Sequence, residues 1–234
     1  MERIDRHSAD VATFELAWTG PRLRFRPGQF VHVALDPYDP SRHWPESRVF
    51  SIASAPSDPH GMRLTVSRQG RFTSRLLDEV GCGRTLWCKG PYGEFEVRAS
   101  DLDAPVVLVA GGTGITPFCA FMEEAIQRPE SAVAPVRLFY GARTAALLPY
   151  ARLAERCAAA LPRFEAQLFA EEGPLPAGVA QGRLDIRRIA AAADEHPRTR
   201  FYLSGPPVMI AAFGTHLREV RGVPPEQVII DAWE

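Results

Sequence analysis

Ala110-Gly111-Gly112-Thr113-Gly114-Ile115-Thr116-Pro117 interrupts an otherwise apolar stretch of this chain. Before it runs Val106-Val107-Leu108-Val109-Ala110, with no polar residue. After it come Phe118, Phe121, Met122 and Ala125, apolar at helical spacing. The pattern predicts a buried strand feeding a glycine turn that opens a helix. Three glycines leave backbone N–H groups uncovered and let a large anion approach. The helix start adds the positive end of a dipole, and Thr113 and Thr116 offer hydroxyl donors. That chemistry suits a diphosphate. The spacing is not G-x-G-x-x-G, so a tight strand-to-helix turn without a ligand stays open at this point.

The chain around this turn has 234 residues, 46% hydrophobic and 24% charged, with a net charge of −1. That length allows one large domain or two small ones, and the composition is that of a soluble globular protein. The near-zero charge gives no reason to expect nucleic acid or an anionic membrane as a partner. No apolar run reaches membrane-spanning length. The opening Met1-Glu2-Arg3-Ile4-Asp5-Arg6 does not read as a signal peptide, so a cytoplasmic location is expected. Cys82, Cys88, Cys119 and Cys157 fit neither a zinc site nor an iron–sulfur cluster and read as reduced thiols.

Upstream of the turn the signals are short and strand-like. Residues 12–18, 29–35, 62–67, 85–89 and 94–97 are read as strands. They are separated by Thr19-Gly20-Pro21, Pro27-Gly28 and Gly90-Pro91-Tyr92-Gly93. This pattern predicts an antiparallel β-barrel with one short helix over 74–79. Residues 36–47 hold three prolines and read as a loop. Two spots carry possible chemistry. Arg48-Val49-Phe50-Ser51 puts a cation and an aromatic ring on one strand face, suited to a phosphate and a flat heterocycle. Gly70-Arg71-Phe72-Thr73-Ser74 repeats the anion logic at a helix start. The bland alternatives are a surface arginine beside a buried Phe50, and an ordinary helix cap.

Downstream, strands and helices alternate. Strands are expected at 136–140, 164–169, 200–203 and 228–230, helices at 147–161, 185–193 and 208–220, and a loop at 171–181. Such alternation predicts a parallel sheet covered by helices on both faces. Ligands in such sheets bind outside the carboxyl ends of the strands. Three turns are expected there: 111–116, 140–143 and 204–207.

The order of Arg-x-Phe-Ser, Gly-Gly-Thr-Gly-Ile-Thr-Pro and a late Gly-Pro-Pro resembles the ferredoxin–NADP reductase superfamily, across essentially the whole chain. The resemblance is closest to its bacterial oxygenase-reductase and flavin-reductase branches. It implies a flavin-binding β-barrel domain over 1–100 and an NAD(P)-binding α/β domain over 101–234. By the same resemblance Arg48 holds a flavin phosphate, Phe50 sits at the flavin and Ser51 lies near the flavin N5 edge. Gly70, Thr73 and Ser74 hold the flavin diphosphate, which favours FAD over FMN. Gly112, Thr113 and Gly114 bind the dinucleotide diphosphate. Arg143 lies where the adenosine ribose is read, and Ser204, Gly205, Pro206 and Pro207 lie beside the nicotinamide. Trp233 matches an aromatic placed against the flavin. Ser51 and Ser204 are the two residues read as catalytic. Ser204 stands where many members have cysteine, and Phe50 where many have tyrosine.

The implied chemistry is hydride transfer from NAD(P)H to FAD, with no metal and no acid–base residue required for that step. Electrons then leave to a separate acceptor such as a ferredoxin or an oxygenase component. Two other readings are an NAD(P)H:flavin reductase with dissociable flavin, and a flavin- or nucleotide-binding subunit without turnover, which Ser204 motivates. Near the ribose position, Arg143-Thr144-Ala145-Ala146 offers a cation and a hydroxyl but no acid. That leans toward NADPH; stacking of Arg143 on adenine is compatible with either nucleotide.

Overall fold

The computed structural model describes residues 1–97, 103–129 and 134–231. Its first part is built from two three-stranded antiparallel sheets. One is ordered β1 (Arg3–Arg6), β2 (Val11–Ala17), β5 (Gly61–Ser67); the other is β4 (Ser47–Ser51), β3 (Phe30–Ala34), β6 (Trp87–Tyr92). Alternation along the strands explains how they close on each other into a barrel. Leu16, Val31, Val33, Met62 and Leu64 point into one shared core together with Ile52, while Phe30 and His32 of β3 are only half-buried. Helix α1 (Arg71–Glu79) caps this barrel by burying Phe72, Leu76 and Leu77 against Phe14, Leu35 and Val66.

The second part is a six-stranded parallel sheet in the order β10 (Val179–Gln181), β9 (Phe164–Glu172), β8 (Val136–Thr144), β7 (Val106–Gly111), β11 (Arg200–Ser204), β12 (Val228–Ile230). Every residue of β7 is buried, as a central parallel strand requires. Its side chains alternate between two cores. Val106, Leu108 and Ala110 join the core holding α2 (Thr116–Gln127) and α3 (Ala151–Ala160). Val107 and Val109 join the core under α4 (Ile186–Ala190), α5 (Ala192–Glu195) and α6 (Pro207–Thr215). Tight turns of 3-10 geometry precede α2 at Gly112–Ile115 and α3 at Ala145–Leu147, and a π turn, His216–Val220, extends α6.

The two parts are fastened by polar contacts as well as apolar ones. Phe95, Val97 and Ala53 of the first part enter the core of the second. Arg63 on β5 donates to Glu123 on α2 at 2.6 Å, and Glu123 also accepts from the Ala55 backbone at 3.0 Å. Ser57 donates to Glu124 at 2.7 Å. A buried chain of hydroxyls, Thr13 to Thr65 at 2.8 Å and Thr65 to Tyr150 at 2.6 Å, crosses the same boundary.

Several sequence expectations are corrected. Residues 94–97 form no strand; Glu96 is buried there and pairs with Arg26 at 2.8 Å. The strand expected at 85–89 runs from Trp87 to Tyr92, through residues read as a turn. Helix α1 begins at Arg71 rather than Ser74. Residues 140–143 are no turn but the end of β8, which runs on to Thr144. The loop expected over 171–181 holds the end of β9 and all of β10. The helix expected from 147 starts at Ala151, and the one expected over 185–193 is two short helices. Strand β1 was not anticipated.

Candidate functional site

The strand order of the parallel sheet decides where a ligand can lie. From β7 the chain steps outward on one side to β8 and β9, then returns to the other side with β11 and β12. The switch point therefore lies between β7 and β11, and a crevice forms outside their carboxyl ends. In register Ala110 is opposite Ser204, so the glycine turn after β7 and the Ser204-Gly205-Pro206-Pro207 turn after β11 lie side by side. Packing explains their composition. A Cβ on Gly114 would stand 2.5 Å from Ser204 O and Gly205 N; one on Gly111 would stand 2.7 Å from the Pro206 ring. Gly112 differs, because its φ of +55° suits glycine and a Cβ there would meet nothing within 4 Å. Of the three glycines, Gly111 and Gly114 let the turns approach each other, and Gly112 is the open one.

The barrel supplies the opposite wall. Arg48, Val49, Phe50 and Ser51 of β4, Thr65 and Ser67 of β5, and Gln69 to Thr73 face the two turns across a cleft of about 840 Å³. That volume is within the range of small-molecule sites. Arg48, Phe50, Ser51, Gly70, Thr73, Gly112, Thr113, Gly114, Ser204, Gly205 and Pro206 all line it. A second cavity, about 190 Å³, lies at the other end of the sheet beside Pro105 and Pro135 and holds none of these residues.

Within the cleft the polar groups divide into engaged and available ones. Ser51 Oγ is buried and has no hydrogen-bond partner among the described residues. Such a group is costly unless a ligand or water satisfies it. The Arg48 guanidinium is half-exposed, lies 5.5 Å from the Phe72 ring centre and reaches Glu46 at 3.2 Å. Thr73 is engaged: its hydroxyl accepts from the N–H groups of Gln69 and Gly70 at 2.8 and 3.1 Å, so it shapes the turn. The Thr116 hydroxyl donates to Thr113 O at 2.9 Å and is likewise spent on the turn. Ser204 Oγ donates to the buried Asp231 carboxylate at 2.8 Å.

Two expected site residues do not line the cleft, and a third is not described. Ser74 is in α1, half-buried, and does not line the cleft. Arg143 is at the carboxyl end of β8 on the outer surface, paired with Glu172 at 2.6 Å. Trp233 lies outside the described residues. Conversely, Thr65, Ser67, Gln69, Arg71 and Phe72 line the cleft without having been singled out as site residues, and the expected Pro207 lines it too. Arg71 carried a readable signal, a cation next to Gly70. Thr65 and Asp231 carried none, because only the fold brings them near.

Comparison with known proteins gives this geometry a family. The family model of the oxidoreductase FAD-binding domain matches residues 1–97, and that of the oxidoreductase NAD-binding domain matches residues 108–214. The chain belongs to the ferredoxin-reductase-like superfamily. It is 27% identical to the reductase component of propane 2-monooxygenase from Mycolicibacterium goodii, over 98% of this chain and 65% of that protein. It is 31% identical to a flavohemoprotein of Rhizobium meliloti (strain 1021), over 75% of this chain and 44% of that protein. Among solved structures, the Amycolatopsis cytochrome P450 reductase GcoB superposes with a TM-score of 0.79 at 26% identity, over 98% of this chain and 67% of that one. The chain thus spans less than two thirds of the length of these first two relatives.

FAD and NAD(P)H are the cofactors of this superfamily member. The residues present fit a flavin. Ser51 Oγ is a buried hydroxyl without a partner among the described residues, Arg48 is a cation on the same strand, and the Gln69–Gly70 turn that opens α1 lines the same cleft. No helix among the described residues is long and apolar enough to cross a membrane.

Proposed function

We propose that this chain is an electron-transfer module. In this reading Arg48, Ser51 and the Gly70 turn hold FAD against the barrel wall, with Phe50 packed beside it. Gly112 and Thr113 take the diphosphate of the nicotinamide nucleotide, and Ser204 with Gly205 and Pro206 borders the nicotinamide. The boundary between the flavin and nucleotide domains is placed near residue 100. The observation that carries the reading is the pairing of the unpartnered, buried Ser51 hydroxyl with a glycine turn at the sheet's switch point, across one cleft.

Bound FAD supplies a two-electron acceptor for the hydride of NAD(P)H. The chain's own residues bind, orient and exclude water. Ser204, held by Asp231, keeps one rotamer and presents a small polar surface beside the nicotinamide. The acceptor is a separate protein of the oxygenase-component or ferredoxin kind. The relatives' names, a monooxygenase reductase component and a cytochrome P450 reductase, support that class. A cytoplasmic location goes with such a role. The test is gel filtration of the FAD-loaded protein, followed by NADH oxidation with an added one-electron acceptor. Flavin that stays bound, with acceptor reduction dependent on it, is expected. Flavin that elutes separately and is reduced free in solution would favour a flavin reductase instead.

A further inference from the structure

We propose that Thr65, Thr13 and His7 form a proton exit from the cleft to solvent. The inference rests on the reading of the cleft as the place where a hydride donor feeds a one-electron acceptor.

A hydride carries two electrons and one proton. When both electrons pass to one-electron acceptors outside the cleft, the proton stays behind, so one proton must leave per turnover. Ser51, the buried hydroxyl of the cleft, has no partner among the described residues to take it on. Thr65 has one. Thr65 and Ser67 of β5 line the cleft, while Leu64 and Val66 between and before them join the barrel cores. Thr65 Oγ meets Thr13 Oγ on β2 at 2.8 Å, and Thr13 Oγ meets His7 Nε2 at 2.8 Å. His7 is only half-buried, so two hydrogen bonds join the cleft to the surface.

Hydrogen-bond accounting gives this chain a direction. The buried Tyr150 hydroxyl meets Thr65 Oγ at 2.6 Å. A buried phenol needs an acceptor for its proton, so Tyr150 donates to Thr65. Thr65 then donates to Thr13, and Thr13 to His7 Nε2, which is left as the unprotonated ring nitrogen. Thr65 Oγ keeps one lone pair for a donor in the cleft. A proton given to it there sends the Thr65 proton to Thr13 and the Thr13 proton to Nε2. The imidazolium loses a proton to water, and no charge is left over. The flanking groups suit these duties. Burial lowers the His7 pKa and Asp5 partly offsets this, so the ring is a neutral acceptor at neutral pH. Burial and Cys119 raise the Tyr150 pKa, against Thr65 and Arg63, so Tyr150 stays a donor.

The first test needs no turnover. Nitrogen NMR of the FAD-loaded protein should show neutral His7 with its proton on Nδ1; a proton on Nε2 would overturn the inference. The second follows proton release with a pH-indicator dye when NADH-reduced, FAD-loaded protein is mixed with ferricyanide, a one-electron acceptor. Thr13→Val keeps the shape and removes the hydroxyl. It should slow proton release about a hundredfold, the lower end of what a positioned proton-transfer group contributes, and Thr13→Ser should restore it. Release from Thr13→Val that keeps pace with the wild type would overturn the inference. So would a loss that Thr13→Ser does not restore, which would make Thr13 a packing residue. Wild-type protein whose bound FAD is not reduced by NADH would instead remove the reading on which the inference rests.

Discussion

Gly114 and Gly70 are both glycines at helix starts, yet they do different work. Gly114 is pressed against the Ser204–Gly205 backbone, whereas Gly70 has an extended φ of 178° and open space where a Cβ would go. Gly114→Ala should therefore cost about 2 kcal/mol through overpacking, lowering Tm by several degrees. Gly70→Ala should cost no more than about 0.5 kcal/mol, its effect falling on FAD affinity. Thermal melts and FAD titrations of the two variants separate these outcomes. Arg48→Ala should raise the Kd for FAD at least about tenfold, the scale of one hydrogen bond to a charged group; fluorescence titration measures it, and an unchanged Kd would remove Arg48 from the flavin site. At this scale the sequence told residue type but not duty. Glycine reads the same whether it admits a phosphate or a neighbouring turn, and the Thr73 and Thr116 hydroxyls could not be seen to be spent on their own loops.

Among elements, the long periodic ones were legible and the edges were not. Strand β7 and helix α2 follow directly from an apolar run, a glycine turn and Pro117 at the helix start. Strand β1, Arg3-Ile4-Asp5-Arg6, has charged ends and one apolar side chain, because an edge strand is held by pairing with β2 rather than by burial. Residues 94–97 alternate like a strand, but Glu96 turns inward to meet Arg26, and no partner strand is bonded there. After β1, His7 Nε2 lies 2.8 Å from the Thr13 hydroxyl, at the outer end of the hydroxyl chain that reaches Tyr150. Burial holds the His7 imidazole below its ordinary 6.5, partly offset by Asp5. Between the folded pKa and 6.5 the unfolded chain binds more protons than the native one, so stability rises with pH in that window and falls on acidification. Urea midpoints at about pH 5 and about pH 7 should show the loss, and His7→Gln should flatten it. Midpoints that fall equally in the variant would place the effect elsewhere.

The whole molecule depends on how its two parts meet, and the sequence said least about that. The barrel and the parallel sheet were each legible from alternation and punctuation, but Arg63 and Glu123 are 60 residues apart and nothing local marks them as partners. Both side chains are mostly buried, at 22% and 19% exposure. Burial lowers the Arg63 pKa, but the Glu123 charge and hydrogen bond outweigh it and hold the group above its ordinary range. Glu123→Ala leaves that cation only Glu15, at 3.8 Å, and strands the Ala55 N–H, and should cost about 2 kcal/mol in a urea titration. Splitting of one unfolding transition into two would show the parts uncoupling. The same meeting of parts creates the cleft, by bringing β4 and the Gly70 turn within reach of Gly112 and Ser204.

The most direct measurement of that account is an anaerobic absorbance titration of the FAD-loaded protein with NADH. Bleaching of the bound flavin's visible absorbance at one NADH per FAD is expected, with Gly112→Val requiring far more nucleotide to reach the same end point. FAD that stays bound but keeps its colour under excess NADH and excess NADPH would contradict the claim that the two cofactors meet in this cleft.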